Sequence, residues 1–498
     1  MTTVAGYATP PRTIPVGPTQ ARQLGILCFV VGIALCALFE LHVRVPITVA
    51  CLVFAVAVWI GLAHVRLSRF SFLTRYVLFL YSLPFIHSLE YVVNDISTFV
   101  NRTGIWGMTP NEYQLDLNII ERMTLAGAIG AIALVAGFCF AATYDRTPTV
   151  HHESGRPLRL QSVLFVAAMA LAFSWANAPT QTIFQTAYTE ATNPLQGTNF
   201  NAAYLLSYVF AAAQTIDALR DRRPHVRRYK IAFAIIVVGV IVIWFQFLRG
   251  DRECMGLVVA VGILSFSNSQ RLRVSLARQR RRLLLIGAVI FGLVLIAQLV
   301  GTIRVGVVGK DVTTAVRGGE ISLIHGTWSG ILLTDLSAIG DFERERMSMR
   351  WGRTYIDYML SLPPGVVAAA LSYQRPLEST RGPAWAMRYA QGGIHMMVVP
   401  FMNFRTPGVL AILLLCGLLI GRIELLTSGT PGVRSLLLYA TFFIIGPLWI
   451  WYGDMLFVRG VMSYYLVWWT YRLLPKVRPG AADFQSAPVA PTPYGVHA

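Results

Sequence analysis

Charge is what this sequence lacks most. Only 13% of its 498 residues are Asp, Glu, Lys or Arg, while 55% are hydrophobic; a soluble domain typically carries about a quarter charged residues. Length alone suggests about three soluble domains, but so few charges cannot cover a soluble surface. Lysine is nearly missing, with Lys230, Lys310 and Lys476 the only three, and a GC-rich genome is the plain account of that. The net charge of +18, 42 basic residues against 24 acidic, is therefore an arginine charge. In a chain this apolar it bears on membrane sidedness rather than on nucleic acid. Cysteine is sparse as well. Cys28, Cys36, Cys51, Cys139, Cys254 and Cys416 all fall in or beside apolar runs, with no C-x-x-C pair and no histidine at ligand spacing. They read as small apolar fillers, with no disulfide and no metal site expected. No P-loop, G-x-S-x-G elbow or H-E-x-x-H helix is present, which removes the common nucleotide, acyl-transfer and zinc chemistries.

What the chain does have is long apolar runs. They lie at about 24–41, 45–65, 72–92, 122–142, 161–178, 200–218, 231–248, 254–269, 283–303, 407–422, 434–452 and 456–473. Each can cross a hydrocarbon core, some with tilt. The fold class expected is an all-α polytopic membrane protein with about twelve transmembrane helices. The 1–22 tail carries no cleavage signal and leads into an uncleaved first span, and the Pro-rich 474–498 tail has the composition of a disordered segment.

The connectors alternate in charge. Arginines cluster at 66–75, 146–159, 220–228 and 271–282, whereas the connectors at 93–117 and 179–199 hold only Arg102. The positive-inside rule puts the basic set and both termini in the cytoplasm. Two unusual segments then fall outside: the tight turn at 248–253, with Arg249 and Arg252, and the one long connector, 304–406. The domain plan is thus a 1–22 tail, helices over 23–303, an extracytoplasmic loop over 304–406, helices over 407–473 and a 474–498 tail. Within the loop, 321–339 is apolar but interrupted, and either lies along the interface or re-enters the membrane against protein. A helix from Arg353 ends at Pro363-Pro364-Gly365, and a second short one spans 383–390 before Gly392-Gly393.

The loop is rich in arginine at the outer face, a donor fork that suits phosphate and holds its charge at any pH. An anionic substrate anchored in lipid, such as a polyprenyl diphosphate, fits such a cap. For Arg344, Arg346 and Arg375 the plainer account is a solvated loop balanced by Glu343, Glu345 and Glu378. Arg381 and Arg388, flanked by aromatic and glycine residues, are candidates for binding, as are Arg249 and Arg252, although Asp251 and Glu253 offer the latter pair a local ion-pair role. His87, Glu90, Asp217 and Asp454 read more simply as interface residues.

Three stretches together resemble the O-antigen and oligosaccharide repeat-unit polymerases of the Wzy type. They are Phe247-Leu-Arg-Gly-Asp-Arg-Glu253, then Trp351-Gly-Arg-Thr-Tyr-Ile-Asp-Tyr-Met-Leu-Ser-Leu-Pro-Pro364, then Gln391-Gly-Gly-Ile-His395 with Phe401-Met-Asn-Phe404 and Pro407-Gly408. Arg381 and Gly392 also fit the R-x10-G spacing of some members. The resemblance implies a bundle like that of the GT-C glycosyltransferases and a metal-independent enzyme without cofactor in the bacterial inner membrane. It implies block transfer of a growing glycan from undecaprenyl diphosphate to a new lipid-linked repeat unit, for O-antigen, capsule or exopolysaccharide. Membrane lipid and a chain-length regulator protein are the further partners expected, and nucleic acid is not. Arg249, Arg252, Arg353, Arg381 and Arg388 would hold the diphosphate. Family members often place a Glu shortly before the N-F pair; here Val399 and Pro400 stand there, so the general base falls to His395, with Asp357 and Glu320 as alternatives. An O-antigen ligase of similar fold and a non-catalytic lipid-oligosaccharide flippase are the rival readings.

Overall fold

A computed structural model describes residues 18–63, 65, 72–85, 88, 117–143, 229, 327–360, 371–372, 394–426 and 433–453, with isolated positions between 457 and 469. The expected spans at 161–178, 200–218, 231–248, 254–269 and 283–303, the 248–253 turn and the 383–390 helix lie outside these residues.

Every described element is helical. In chain order they are α1 (Pro18–Glu40), α2 (Ile47–Ala63), α3 (Phe72–Ser82) running into a 3-10 turn (Leu83–Phe85), and α4 (Leu117–Thr143). They continue with α5 (Thr327–Glu343), α6 (Arg353–Leu360), α7 (Val398–Leu426) and α8 (Val433–Tyr452). Three of them, α1, α4 and α7, are long and apolar enough to cross a membrane. That much of the expected membrane architecture holds.

The packing order follows from which helices are apolar all round. α4 carries Ala, Gly, Ile and Leu on every face after Arg122, so it has no face for solvent and stands at the centre. α1, α2 and α7 lie against it. The tightest crossing is α4 on α7, where Gly137 meets Gly417: a Cβ at Gly137 would stand 2.3 Å from the Leu414 carbonyl oxygen, and one at Gly417 2.4 Å from that of Leu134. Small residues let helix backbones approach in this way where lipid gives no hydrophobic drive between helices. α1 and α2 instead turn an apolar face outward, with Ile26, Leu27, Val30, Leu52 and Trp59 exposed. A face of this composition suits lipid contact rather than water. Cys28, Cys36, Cys51 and Cys139 are buried among these helices as apolar fillers.

Two departures from the expected boundaries matter. Within the span expected over 72–92, α3 ends at Ser82 and passes into the 3-10 turn at Leu83–Phe85. Pro84 has no N–H to give the carbonyl of Leu80, and the Trp451 indole, from the end of α8, donates to that carbonyl at 3.2 Å instead. The helix expected from 407 begins earlier, at Val398, and is broken rather than continuous: Arg405 has φ 56 and ψ −150. Its upper segment therefore reaches back into what reads in sequence as loop. Pro407 falls in the first turn of the lower segment, where its missing N–H costs nothing.

At one end of the bundle, Glu424 of α7 accepts the N–H of Thr74 at 2.8 Å and so caps the start of α3. The other end gathers the tips of α1, α4 and α5 with the break in α7, and holds most of the charge described below.

Candidate functional site

Of the residues expected to act, His395, Asp357 and Arg353 are described. Glu320, Arg249, Arg252, Arg381 and Arg388 lie outside the described residues. The upper segment of α7 organises the three that remain.

Asn403 is the anchor. It is wholly buried, and its side-chain amide donates to the Val399 carbonyl at 2.8 Å, fixing its rotamer on the helix. Its main-chain carbonyl accepts the N–H of Trp351 at 3.1 Å, and the Met402 carbonyl accepts that of Arg350 at 3.1 Å. The Asn403 side-chain oxygen takes the N–H of Thr354 at 3.4 Å, at the opening turn of α6. Gly352, with φ +82, lies against the Phe404 ring, a conformation that L side chains adopt only under strain. Two stretches some fifty residues apart in sequence, 350–354 and 401–404, thus form one unit.

That unit sets the face of α6. Thr354, Asp357 and Tyr358 point inward and are buried. Arg353 is exposed, beside the exposed apolar side chains of Trp351, Ile356 and Met359. An exposed guanidinium among exposed apolar groups is the composition of a membrane interface. Arg353 and Asp357 are one helical turn apart but differ in environment.

Just below the Asn403 anchor lies an ionic network that the sequence reading did not assemble. Arg122 of α4 forms an ion pair with Glu343 of α5 at 2.8 Å, and both side chains are nearly enclosed. Arg122 also donates to the Phe39 carbonyl at 3.0 Å and lies 3.9 Å above the Phe39 ring. Arg405 reaches Glu40 at 3.1 Å and Glu343 at 3.8 Å. Glu40 also accepts the Thr406 hydroxyl at 2.6 Å. His42 stands 3.5 Å from Glu343, and Arg44 pairs with Glu121 at 3.0 Å. Three arginines thus meet three glutamates, which makes the network neutral without counting His42. The left-handed backbone at Arg405 is strained by about 1–3 kcal/mol; it is what turns this arginine off the helix axis toward Glu40.

Arg122 had a signal in the sequence. With Glu121 it opens the apolar run at 122–142, and a charge beside such a run marks a pair or an interface position. Glu343 and Arg405 had none, because each sits among several loop charges.

His395 is the third feature. It lies in the short non-helical link before α7, which is pinned to the end of α8 by the Met396 N–H donating to the Ile450 carbonyl at 2.8 Å. Its ring is wholly enclosed, 4.7 Å from the Tyr81 ring and 5.4 Å from that of Phe85. Nδ1 lies 3.5 Å from Oδ2 of Asp335, an equally enclosed carboxyl on α5. Burial pushes the imidazole down to about 3, against the opposing effect of the Tyr81 main chain. Burial also pushes the Asp335 carboxyl well above the usual carboxylate range. Asp335 was missed in the sequence although it is the one acidic residue of the interrupted 321–339 run.

Comparison of the chain with protein-family models, with curated proteins and with solved structures finds no match.

Proposed function

We propose that the chain is a membrane glycosyltransferase that polymerises undecaprenyl-diphosphate-linked oligosaccharide repeat units at the outer face of the bacterial cytoplasmic membrane. The growing glycan leaves its diphosphate and is transferred as a block to a hydroxyl of a new lipid-linked unit. About twelve spans in a GT-C-like arrangement, with both termini in the cytoplasm, complete this reading.

One observation carries it. The stretches 351–354 and 401–404, both singled out for their resemblance to repeat-unit polymerases, are hydrogen-bonded to each other through Asn403. They meet where Arg353 is exposed beside apolar side chains and where Arg405 leaves the helix axis. The chemistry asked of such a place is modest. A diphosphate leaving group needs fixed positive donors where charge develops, and arginine supplies these without a metal. In this reading Arg249, Arg252, Arg353, Arg381 and Arg388 take the diphosphate. His395 takes the proton of the acceptor hydroxyl, with Asp357 and Glu320 as the other candidates. Both lipids enter sideways from the bilayer, which favours a site between helices and a cap.

Disruption of the gene, followed by analysis of surface and lipid-linked glycan, tests the proposal. Loss of a polymerase leaves single repeat units on the acceptor lipid. Free polymer accumulating on undecaprenyl diphosphate would instead identify a ligase, and units trapped on the cytoplasmic side a flippase. Either result overturns the proposal, as does an unaltered glycan profile.

A further inference from the structure

A buried imidazole by itself is a poor base. At about 3, the protonated ring of His395 would be far too acidic to keep a proton taken from a sugar hydroxyl. The structure supplies what the ring lacks. Asp335 is wholly enclosed, and neither of its oxygens has a well-aligned hydrogen-bond donor; buried polar atoms of this kind are rare and call for an explanation. Its Oδ2 faces Nδ1 of His395 at 3.5 Å. Among the described residues the Tyr81 phenol of α3 also stands nearby, and its hydroxyl is committed to the Gly127 carbonyl at 2.9 Å. The rings of Tyr81 and Phe85 stand against the imidazole and limit its rotation.

We propose that Asp335 is the positioning residue of His395, and that the two form one buried proton-sharing unit in which the carboxylate holds Nδ1 and leaves Nε2 to take the acceptor proton. This rests on the polymerase reading and gives its base a mechanism. At rest the unit has zero net charge: the carboxyl hydrogen lies between Oδ2 and Nδ1, and the second ring hydrogen is on Nε2. Loss of one proton to solvent gives a carboxylate beside a neutral ring that is protonated on Nδ1. The acceptor O–H bond then breaks as the Nε2–H bond forms, and the unit returns from one negative charge to none. Protonating the ring now cancels buried charge instead of creating it, which turns a weak base into an effective one. Both groups are enclosed between α3, α5 and the end of α8, so the hydroxyl meets Nε2 once one of these elements has shifted.

The test compares Asp335→Asn, Asp335→Glu, His395→Ala and the double variant Asp335→Asn/His395→Ala in cells lacking the native copy, at matched membrane levels, by glycan length distribution. Asp335→Asn is expected to lose polymer by about 10²–10⁴-fold, as His395→Ala does. The double variant should be no worse than either single one, since the two act as a unit. Asp335→Glu keeps the carboxyl and should recover part of the polymer. Near-normal polymer from Asp335→Asn, or a double variant with multiplied losses, overturns the proposal.

A second readout does not depend on the glycan. In purified full-length protein labelled with ¹⁵N-histidine, with His395 assigned by the signals lost in His395→Gln, Nδ1 should show the shift of a nitrogen sharing its hydrogen with a carboxylate. In Asp335→Asn that shift should collapse to the value of a plain neutral imidazole. An unchanged Nδ1 signal refutes the pairing whatever the glycan shows. A collapsed signal with an unaltered glycan in the disrupted strain refutes the polymerase reading and leaves the pairing intact.

Discussion

Glu343 is the residue on which the charged end depends. Its Oε1 meets Arg122 at 2.8 Å and Arg405 at 3.8 Å, and its Oε2 meets His42 at 3.5 Å. Replacing it by Gln keeps the shape and one acceptor but removes the negative charge, leaving three arginines against two glutamates. The Arg122 side chain is only 7% exposed and that of Glu343 11%, so water cannot step in. Breaking a buried pair by removing one partner typically costs 3–5 kcal/mol, and since Gln still accepts a hydrogen bond the expectation for Glu343→Gln is about 3 kcal/mol. The same network offers internal controls. Arg405 and Glu40 are each more than a quarter exposed, so Glu40→Gln should cost about 1 kcal/mol. Arg44 is 67% exposed but its partner Glu121 only 5%, so Arg44→Ala strands a buried carboxylate and should cost more than Glu40→Gln. Adding Arg122→Met to Glu343→Gln removes the uncompensated charge and should restore most of the loss. The assay is retention of folded protein on heating and in denaturant, in one detergent, for all five proteins. If Glu343→Gln proves as mild as Glu40→Gln, or if the double variant is weaker than Glu343→Gln, the network does not hold α5 to the bundle.

Three further outcomes are expected. At Gly137 a methyl group would press on the main chain of Leu414 and Leu418, so Gly137→Ala should destabilise by about 1–3 kcal/mol; an unchanged melting midpoint would show that α4 and α7 do not cross this closely. The Lys variants of Arg249, Arg252 and Arg381 keep the charge but lose the two-point fork, and each should shorten the glycan at matched membrane levels; normal polymer from all three removes them from diphosphate binding. Reporter fusions after residues 225 and 276 should report cytoplasm, and fusions near 110, 190 and 360 the outside; an external signal at 276 inverts the topology and moves the proposed site to the wrong face.

Much of the framework was legible from composition and periodicity. The apolar runs at 24–41, 45–65, 122–142 and 434–452 correspond closely to α1, α2, α4 and α8, because a stretch of about twenty apolar residues in lipid has little choice but to close its own backbone hydrogen bonds as a helix. The helix expected from Arg353 was legible as well and corresponds to α6, while Pro363-Pro364 lies outside the described residues. Breaks were harder to see. Pro84, where α3 gives way to the 3-10 turn, is hidden by an apolar run that continues to 92. The kink at Arg405 follows from no local motif: the cost of that backbone is met by Glu40 and Glu343, from α1 and α5.

The candidate site divides along the same line. By itself the sequence determined that arginine dominates the basic residues and that many of them fall between 304 and 406, because these are properties of residue identity and spacing. Only the tertiary structure decided that Asn403 joins 350–354 to 401–404, that Arg122 belongs with Glu343, and that Asp335 faces His395. Each of these contacts is made between helices far apart in the chain. Their energies come from burial, which strips water from a charge and makes its partner matter, and burial is a property of the packed bundle rather than of any one segment.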